Sequence, residues 1–247
     1  MNETKETKQE RDARKEAART TRRIGWVIFL AVMGVLVVFG GVWLSTKNET
    51  GDSNTGVVEA ISATDHVRGE TTNPKAILIE YSDFECPACA DYEPYLQDIL
   101  DEYGSKGLAL VYRHYPLPQH SKALIMAKAS EAAGAQGKFW EMHDLIFESQ
   151  ETWTKVTATE ADTMIESLAK KLNLDLVKFK TDLNSQTAED KIKADIASAQ
   201  KARVLGTPTF FLNGKEINPG TSDNFARLIG EALTATTTNN VTSELAK

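Results

Sequence analysis

Both cysteines of this 247-residue chain fall in one stretch, Tyr81-Ser82-Asp83-Phe84-Glu85-Cys86-Pro87-Ala88-Cys89-Ala90, where an apolar run hands over to a helical pattern. The preceding Ala76-Ile77-Leu78-Ile79-Glu80-Tyr81 is short, mostly branched or aromatic, and reads as a buried strand. Beyond the cysteines, Ala88, Tyr92, Tyr95, Leu96, Ile99 and Tyr103 recur at spacings of 4, 3, 1, 3 and 4, a helical period. The junction therefore predicts Cys86 just ahead of a helix and Cys89 in its first turn. Unpaired amides and the positive end of the helix dipole favour a thiolate at that point. A fold that accepts this sequence must turn from strand to helix over two thiols.

Charge sorts the rest of the chain. Residues 1–23 carry eight Lys/Arg and five acids, a local +3, and residues 24–44 carry none. What remains holds 20 bases against 30 acids, a balance that speaks against nucleic acid as a partner. The uncharged run of 21 residues is long enough to cross about 30 Å of hydrocarbon at roughly 1.5 Å per residue. Trp26 and Trp43 sit near its ends, where amphipathic rings prefer the interface. It exceeds the h-region of a cleavable signal, and Val42-Trp43-Leu44-Ser45 offers no small-x-small site. Residues 24–44 are accordingly expected to be a single transmembrane signal-anchor in contact with lipid. The basic flank places 1–23 in the cytoplasm and the acidic domain outside. Outside the cytoplasm a disulfide persists, yet a bridge closing so small a loop constrains the unfolded chain little. Chemistry is the better reading of the pair.

In order, the chain is expected to comprise a cytoplasmic tail (1–23), the anchor (24–44), a flexible Ser/Thr/Asn/Gly-rich linker (45–64), an α/β domain (65–234) and a disordered tail (235–247). Within the domain, Leu108-Ala109-Leu110-Val111-Tyr112-Arg113 is a second buried strand, stopped by Pro116 and Pro118. Strand, helix and strand form a βαβ unit, so the sheet begins parallel. A helical insertion follows over about 119–205, with Thr157-Ala158-Thr159-Glu160 as a capping box and Gly206 as an expected left-handed C-cap. Pro208 to Leu212 and Lys215 to Ile217 then pair across an Asn213-Gly214 turn, and Ser222 opens a last helix through Leu233.

Cys-Pro-Ala-Cys at a helix start, Gly206-Thr207-Pro208 before a hairpin, and helices inserted between them resemble the thioredoxin fold. The insertion resembles the DsbA-like thiol:disulfide oxidoreductases, over roughly residues 66–233. Asp83-Phe84-Glu85-Cys86 and Arg113-His114-Tyr115-Pro116-Leu117-Pro118 look like that family's anchored members. By thiol chemistry Cys86, the more exposed sulfur, is the expected nucleophile and Cys89 the resolving thiol. Pro87 suits the first helical turn, and with Ala88 and Thr207 it is expected to line the substrate site. The resemblance implies that Pro208 is a cis-proline facing the sulfurs, leaving the Thr207 backbone free to pair with a substrate strand. It also implies that Glu80, an acid in an apolar strand, is buried under the site and takes the proton from Cys89. Period-two alternation offers the competing account that Glu80 faces solvent or pairs with a lysine. Pro94 is expected to kink the active-site helix.

His66, His114, His120 and His143 show no ligand spacing, so no metal is expected, and no cofactor beyond the Cys86–Cys89 disulfide. Pro-Ala between the cysteines, where the strongly oxidising relatives have Pro-His, together with acidic Glu85, predicts a milder oxidant. The resulting expectation is an extracytoplasmic enzyme that introduces disulfides into exported proteins bearing thiols. It would be reoxidised by a membrane partner of the DsbB or VKOR-like kind. A reductase or isomerase on the same fold, and a non-catalytic peptide-binding or chaperone module using the Pro208 groove, remain alternatives.

Overall fold

The computed structural model describes residues 58–245, with side chains placed as far as 235. The tail, the anchor and residues 45–57 of the linker, as assigned from sequence, lie outside the described residues. Among the described residues no helix is long and apolar enough to cross a membrane.

Five strands form one mixed sheet in the order β1-β3-β2-β4-β5: β1 (His66–Gly69), β2 (Ala76–Ser82), β3 (Leu108–His114), β4 (Thr209–Leu212) and β5 (Lys215–Ile217). β2 and β3 run parallel, joined by α1 (Pro87–Tyr103), which is the expected βαβ unit. β1, β4 and β5 each pair antiparallel. β1 escapes a sequence reading because four residues ending in glycine carry too little pattern to be seen. The Asn213-Gly214 turn has positive φ at both residues, 49° and 82°, as a two-residue hairpin of this type requires.

Between β3 and β4 come six helices: α2 (Ala123–Gly134), α3 (Phe139–Glu148), α4 (Gln150–Trp153), α5 (Ala158–Lys171), α6 (Leu176–Asp182) and α7 (Gln186–Lys201). The capping box opening α5 is formed in full by Thr157 and Glu160. α7 ends four residues earlier than the sequence suggests, so the left-handed residue is Arg203, at φ 59°, rather than Gly206. The last helix, α8 (Ser222–Leu245), continues well beyond Leu233, into the low-complexity tail from which no structure was expected. Ser, Thr and Ala content there hides helical register because polar and small residues mark no face.

Alternation along β2 divides the packing. Leu78 joins Leu96, Ile99 and Leu100 of α1 and Phe225, Ile229 and Leu233 of α8 on one face. Ile79 and Tyr81 point the other way, meeting Val111, Phe211 and the end of α7. Of the six residues predicted for one face of α1, Ala88 and Tyr95 are exposed, while Leu100, not among them, is buried. The insertion builds its own core around Met126, Met142, Trp153, Ile165 and Phe179, and that core reaches Phe84 and both cysteines.

The stretch 58–64 was expected to belong to a free linker, but it docks on the sheet. Val58 and Ile61 pack against the Ile79 cluster. Arg113 of β3 donates to the Glu59 and Ala60 carbonyls and forms a two-pronged pair with Asp65 at 3.2 and 2.8 Å. Burial pushes the Asp65 carboxyl up, but hydrogen bonds from Arg113 and the Ser62 amide outweigh it and hold it below the usual range. Both partners of the pair are almost wholly buried, at 3% and 2% exposure. Arg113→Ala therefore leaves a carboxylate sealed without its main partner. It should lower unfolding free energy by about 3–5 kcal/mol in denaturant titrations.

Candidate active site

α1 starts where the backbone of Cys86, extended at φ −75° and ψ 120°, turns into the helix with Pro87 in its first turn. Asp83 fixes that turn from below. Its carbonyl accepts the Cys86 amide, Oδ1 accepts the Glu85 amide, and Oδ2 accepts the Leu117 amide and pairs with His120 Nδ1. Gln150 at the start of α4 closes the loop from the insertion side. Its amide nitrogen donates to the Phe84 carbonyl at 2.7 Å and the Cys86 carbonyl at 2.9 Å. Neither role is visible in the sequence, since Asp83 and Gln150 are single polar residues with no spacing to advertise them.

The two sulfurs occupy different surroundings. Cys89 is completely buried, whereas Cys86 retains 7% exposure beside exposed Pro87 and Ala88. Hydrogen bonding from the Cys89 thiol lowers the Cys86 pKa, against the opposing effect of burial. The Thr207 hydroxyl and the amides of Cys89 and Ala88 help, and the outcome is about 5. Burial pushes the Cys89 thiol well above its usual value, and the negative charges of Glu80 and Cys86 add to that.

Across the cleft, Thr207–Pro208 is a cis peptide, as expected. The Thr207 carbonyl lies 3.4 Å from Cys86 Sγ, which donates to it as a thiol. The Thr207 hydroxyl, buried with no other partner, is free to donate once Cys86 is a thiolate.

Glu80 is 1% exposed, so the solvent-facing alternative is excluded. Burial drives its carboxyl up to about 7, opposed by the nearby Ser82 hydroxyl and reinforced by the Cys86 charge. It sits beside Tyr112 on β3 and Phe210 on β4, on the α1 face of the sheet. Cys86, Cys89, Thr207, Pro208 and Glu80 thus converge, with Pro87 and Ala88 on the open rim. Glu85 departs from expectation. Its carboxylate accepts the Lys122 amide and lies 3.9 Å from Lys122 Nζ, so it does not oppose Cys86 as a neighbouring charge would.

The histidines pack rather than gather at the sulfurs: His66 and His114 share Glu131 Oε1, each at 2.8 Å. Glu93, His143 and Asp144 bring ligand-type atoms within 4.8 Å of one another. Both Asp144 oxygens are already engaged, by His143 Nδ1 and Arg68 Nη2, which leaves the set poorly suited to a cation.

A family model described as thioredoxin matches residues 62–231. The chain belongs to the thioredoxin family. Among solved structures, BdbD from Bacillus subtilis is similar with a TM-score of 0.63 and 24% identity, over 73% of this chain and 100% of that one. Wolbachia pipientis alpha-DsbA1 gives a TM-score of 0.63 at 21% identity, over 72% and 96%. The fold is therefore DsbA-like, a thioredoxin sheet carrying a helical insertion. Among curated proteins, the Na(+)/H(+) antiporter NhaA 3 of Salinispora tropica is 41% identical over 152 residues, 61% of this chain and 22% of that protein. The antiporter NhaA of Herminiimonas arsenicoxydans is 36% identical over 181 residues, 73% and 27% respectively. The chain spans about a quarter of the length of these relatives.

The split between the thiols has a pH signature. Cys86 titrates lower in the folded state than unfolded, so its thiolate contributes stability that is present above pH 9 and is lost as pH falls toward 5. Glu80, titrating higher when folded, slopes the other way between pH 4.5 and 7. The window from pH 7 to 9 therefore isolates Cys86: reduced protein should lose stability relative to oxidised as pH is lowered through it, measured by paired urea titrations. Iodoacetamide should label Cys86 with a midpoint near pH 5, while Cys89 stays unlabelled at neutral pH.

Proposed function

We propose that this protein is a thiol:disulfide oxidoreductase that introduces disulfides into exported proteins. One observation carries the reading: two cysteines one helical turn apart, Cys86 at the helix mouth beside exposed Pro87 and Ala88 with its thiol pKa pushed down, and Cys89 wholly buried with its thiol pushed up. A substrate thiolate attacks Cys86 of the disulfide form and Cys89 leaves, taking a proton. A second substrate thiolate then displaces Cys86, completing the substrate disulfide and leaving the dithiol. A Cys86 pKa near 5 makes Cys86 a good leaving group and the disulfide form oxidising. That supports formation over reduction and argues for a stronger oxidant than Pro-Ala and Glu85 suggest in isolation.

Cis-Pro208 and the Thr207 backbone present the edge on which an extended substrate segment would lie, with Pro87 and Ala88 opposite. Glu80 exchanges the Cys89 proton. The uncharged run 24–44 supports a single-pass anchor with the N-terminus in the cytoplasm and the domain outside. Reoxidation falls to a membrane partner of the DsbB or VKOR-like kind. The similarity to antiporters does not argue for ion transport, because it is confined to about a quarter of their length.

Oxidised full-length protein mixed with a reduced two-cysteine peptide should yield the peptide disulfide and free Cys86. Cys86→Ser and Cys89→Ser, neither of which can hold the internal disulfide, should both abolish this turnover; Cys89→Ser given an oxidised peptide instead should accumulate the mixed disulfide through Cys86, and Glu80→Gln should slow the Cys89 step about 10- to 100-fold. Peptide oxidation that persists unchanged in Cys86→Ser sinks the reading. Reduction of an oxidised peptide in preference to oxidation of a reduced one would instead favour the reductase.

A further inference from the structure

Two acids stand just before Cys86, Asp83 and Glu85, and each is met by a residue of the segment between β3 and α2. Glu85 accepts the Lys122 amide and lies 3.9 Å from Lys122 Nζ. Asp83 is sealed, its side chain 0% exposed, so its carboxylate depends on protein partners alone. Oδ1 accepts the Glu85 amide at 2.7 Å. Oδ2 accepts the Leu117 amide at 2.8 Å and faces His120 Nδ1 at 2.7 Å. Leu117 and His120 belong to one turn, closed by the His120 amide on the Leu117 carbonyl at 2.9 Å. Pro116 and Pro118 stiffen that turn. Because a carboxylate only accepts, Nδ1 carries the hydrogen, and the ring becomes a cation when Nε2 is protonated as well. The His120 side chain keeps 21% exposure, which gives it access to solvent protons.

We propose that His120 is a positioning residue for thiol exchange, pairing as an imidazolium with Asp83 so that this buried carboxylate does not oppose the Cys86 thiolate. The proposal rests on the thiol-exchange reading above and adds the counter-charge which that reading needs. The Asp83 carbonyl accepts the Cys86 amide at 3.0 Å, so the carboxylate is bound into the same turn as the sulfur. Two anions confined to one small turn repel, and the repulsion grows where water is excluded. With Pro87 and Ala88 between the cysteines, the motif itself supplies no cation. His120 supplies it from the side. It forms no bond to sulfur and gives no proton to the exchange.

The other charged groups packed around the turn are committed elsewhere. Lys122 serves Glu85 and donates to the Thr154 carbonyl at 2.9 Å. From β3, His114 pairs with Glu131 and Arg113 with Asp65. From α3, His143 lies edge-on to Phe84 with its Nδ1 against Asp144. From α4, Gln150 is neutral and holds two carbonyls. The Asp83 charge also reaches past its own turn. Burial is the main reason the Tyr112 phenol is pushed up, and the charges of Glu80, Cys89 and Asp83 add to it.

Two substitutions in the full-length protein separate charge from shape. His120→Asn keeps a donor where Nδ1 stands and removes the cation, whereas His120→Arg keeps a cation. His120→Asn should raise the pH midpoint of iodoacetamide labelling at Cys86 by about half to one pH unit. It should also lower the equilibrium constant for oxidation of glutathione by the Cys86–Cys89 disulfide about 3- to 10-fold at pH 7. His120→Arg should recover most of both. A labelling midpoint and a glutathione equilibrium in His120→Asn that match wild type overturn the proposal, as do equal shifts in the two variants. His120→Gln is read in the same way if His120→Asn does not fold. Wild-type protein that neither labels at Cys86 below pH 7 nor exchanges with glutathione would instead overturn the thiol chemistry on which the proposal depends.

Discussion

Two thiols separated by a single helical turn are held in opposite electrostatic settings, and much of the domain exists to keep them so. One sulfur stands at the helix mouth, facing amides and a threonine hydroxyl. The other is sunk among aromatic and aliphatic side chains above a buried acid. Asp83 gives up its carbonyl and both carboxylate oxygens to set the turn, and Gln150 reaches across from the insertion to hold the same loop by two carbonyls. The sheet contributes by alternation: Leu78 and Glu80 share a face, so the strand that builds the core under α1 also delivers the acid beneath Cys89.

The insertion is therefore part of the chemistry and does more than cover it. Its core is continuous with Phe84 and both cysteines, and His143 brings α3 against the acid on α1. Glu85, which in sequence looks like a like-charge penalty on Cys86, is turned toward Lys122 at the start of α2.

What the sequence made legible is whatever carries a period or a fixed spacing. β2, α1 and β3 announce themselves by apolar runs, the hairpin by Asn213-Gly214, α5 by its capping box, and the site by Cys-Pro-Ala-Cys and Thr207-Pro208. Glu80 stood out because an acid in an apolar strand is costly unless used. What stayed hidden depends on contacts distant in sequence. Gln150 meets Cys86 across 64 residues, and Arg113 meets Asp65 across 48. β1 is too short to show alternation, and the end of α8 is composed of residues that mark no face. The linker pattern runs on through residues 58–64 because Val58 and Ile61 are isolated apolar residues in a polar stretch, and only the sheet shows them a surface.

The docking of residues 58–65 by Arg113 has a mechanical consequence. Those residues attach to β3 and α7 on the face of the sheet that carries Tyr81, opposite the face that carries α1. A pull arriving along the segment is borne by a central strand and a buried ion pair, and the helix presenting the sulfurs is not in the line of load. The domain can swing or be tugged from its amino-terminal side while the spacing between Cys86, Thr207 and Glu80 stays fixed.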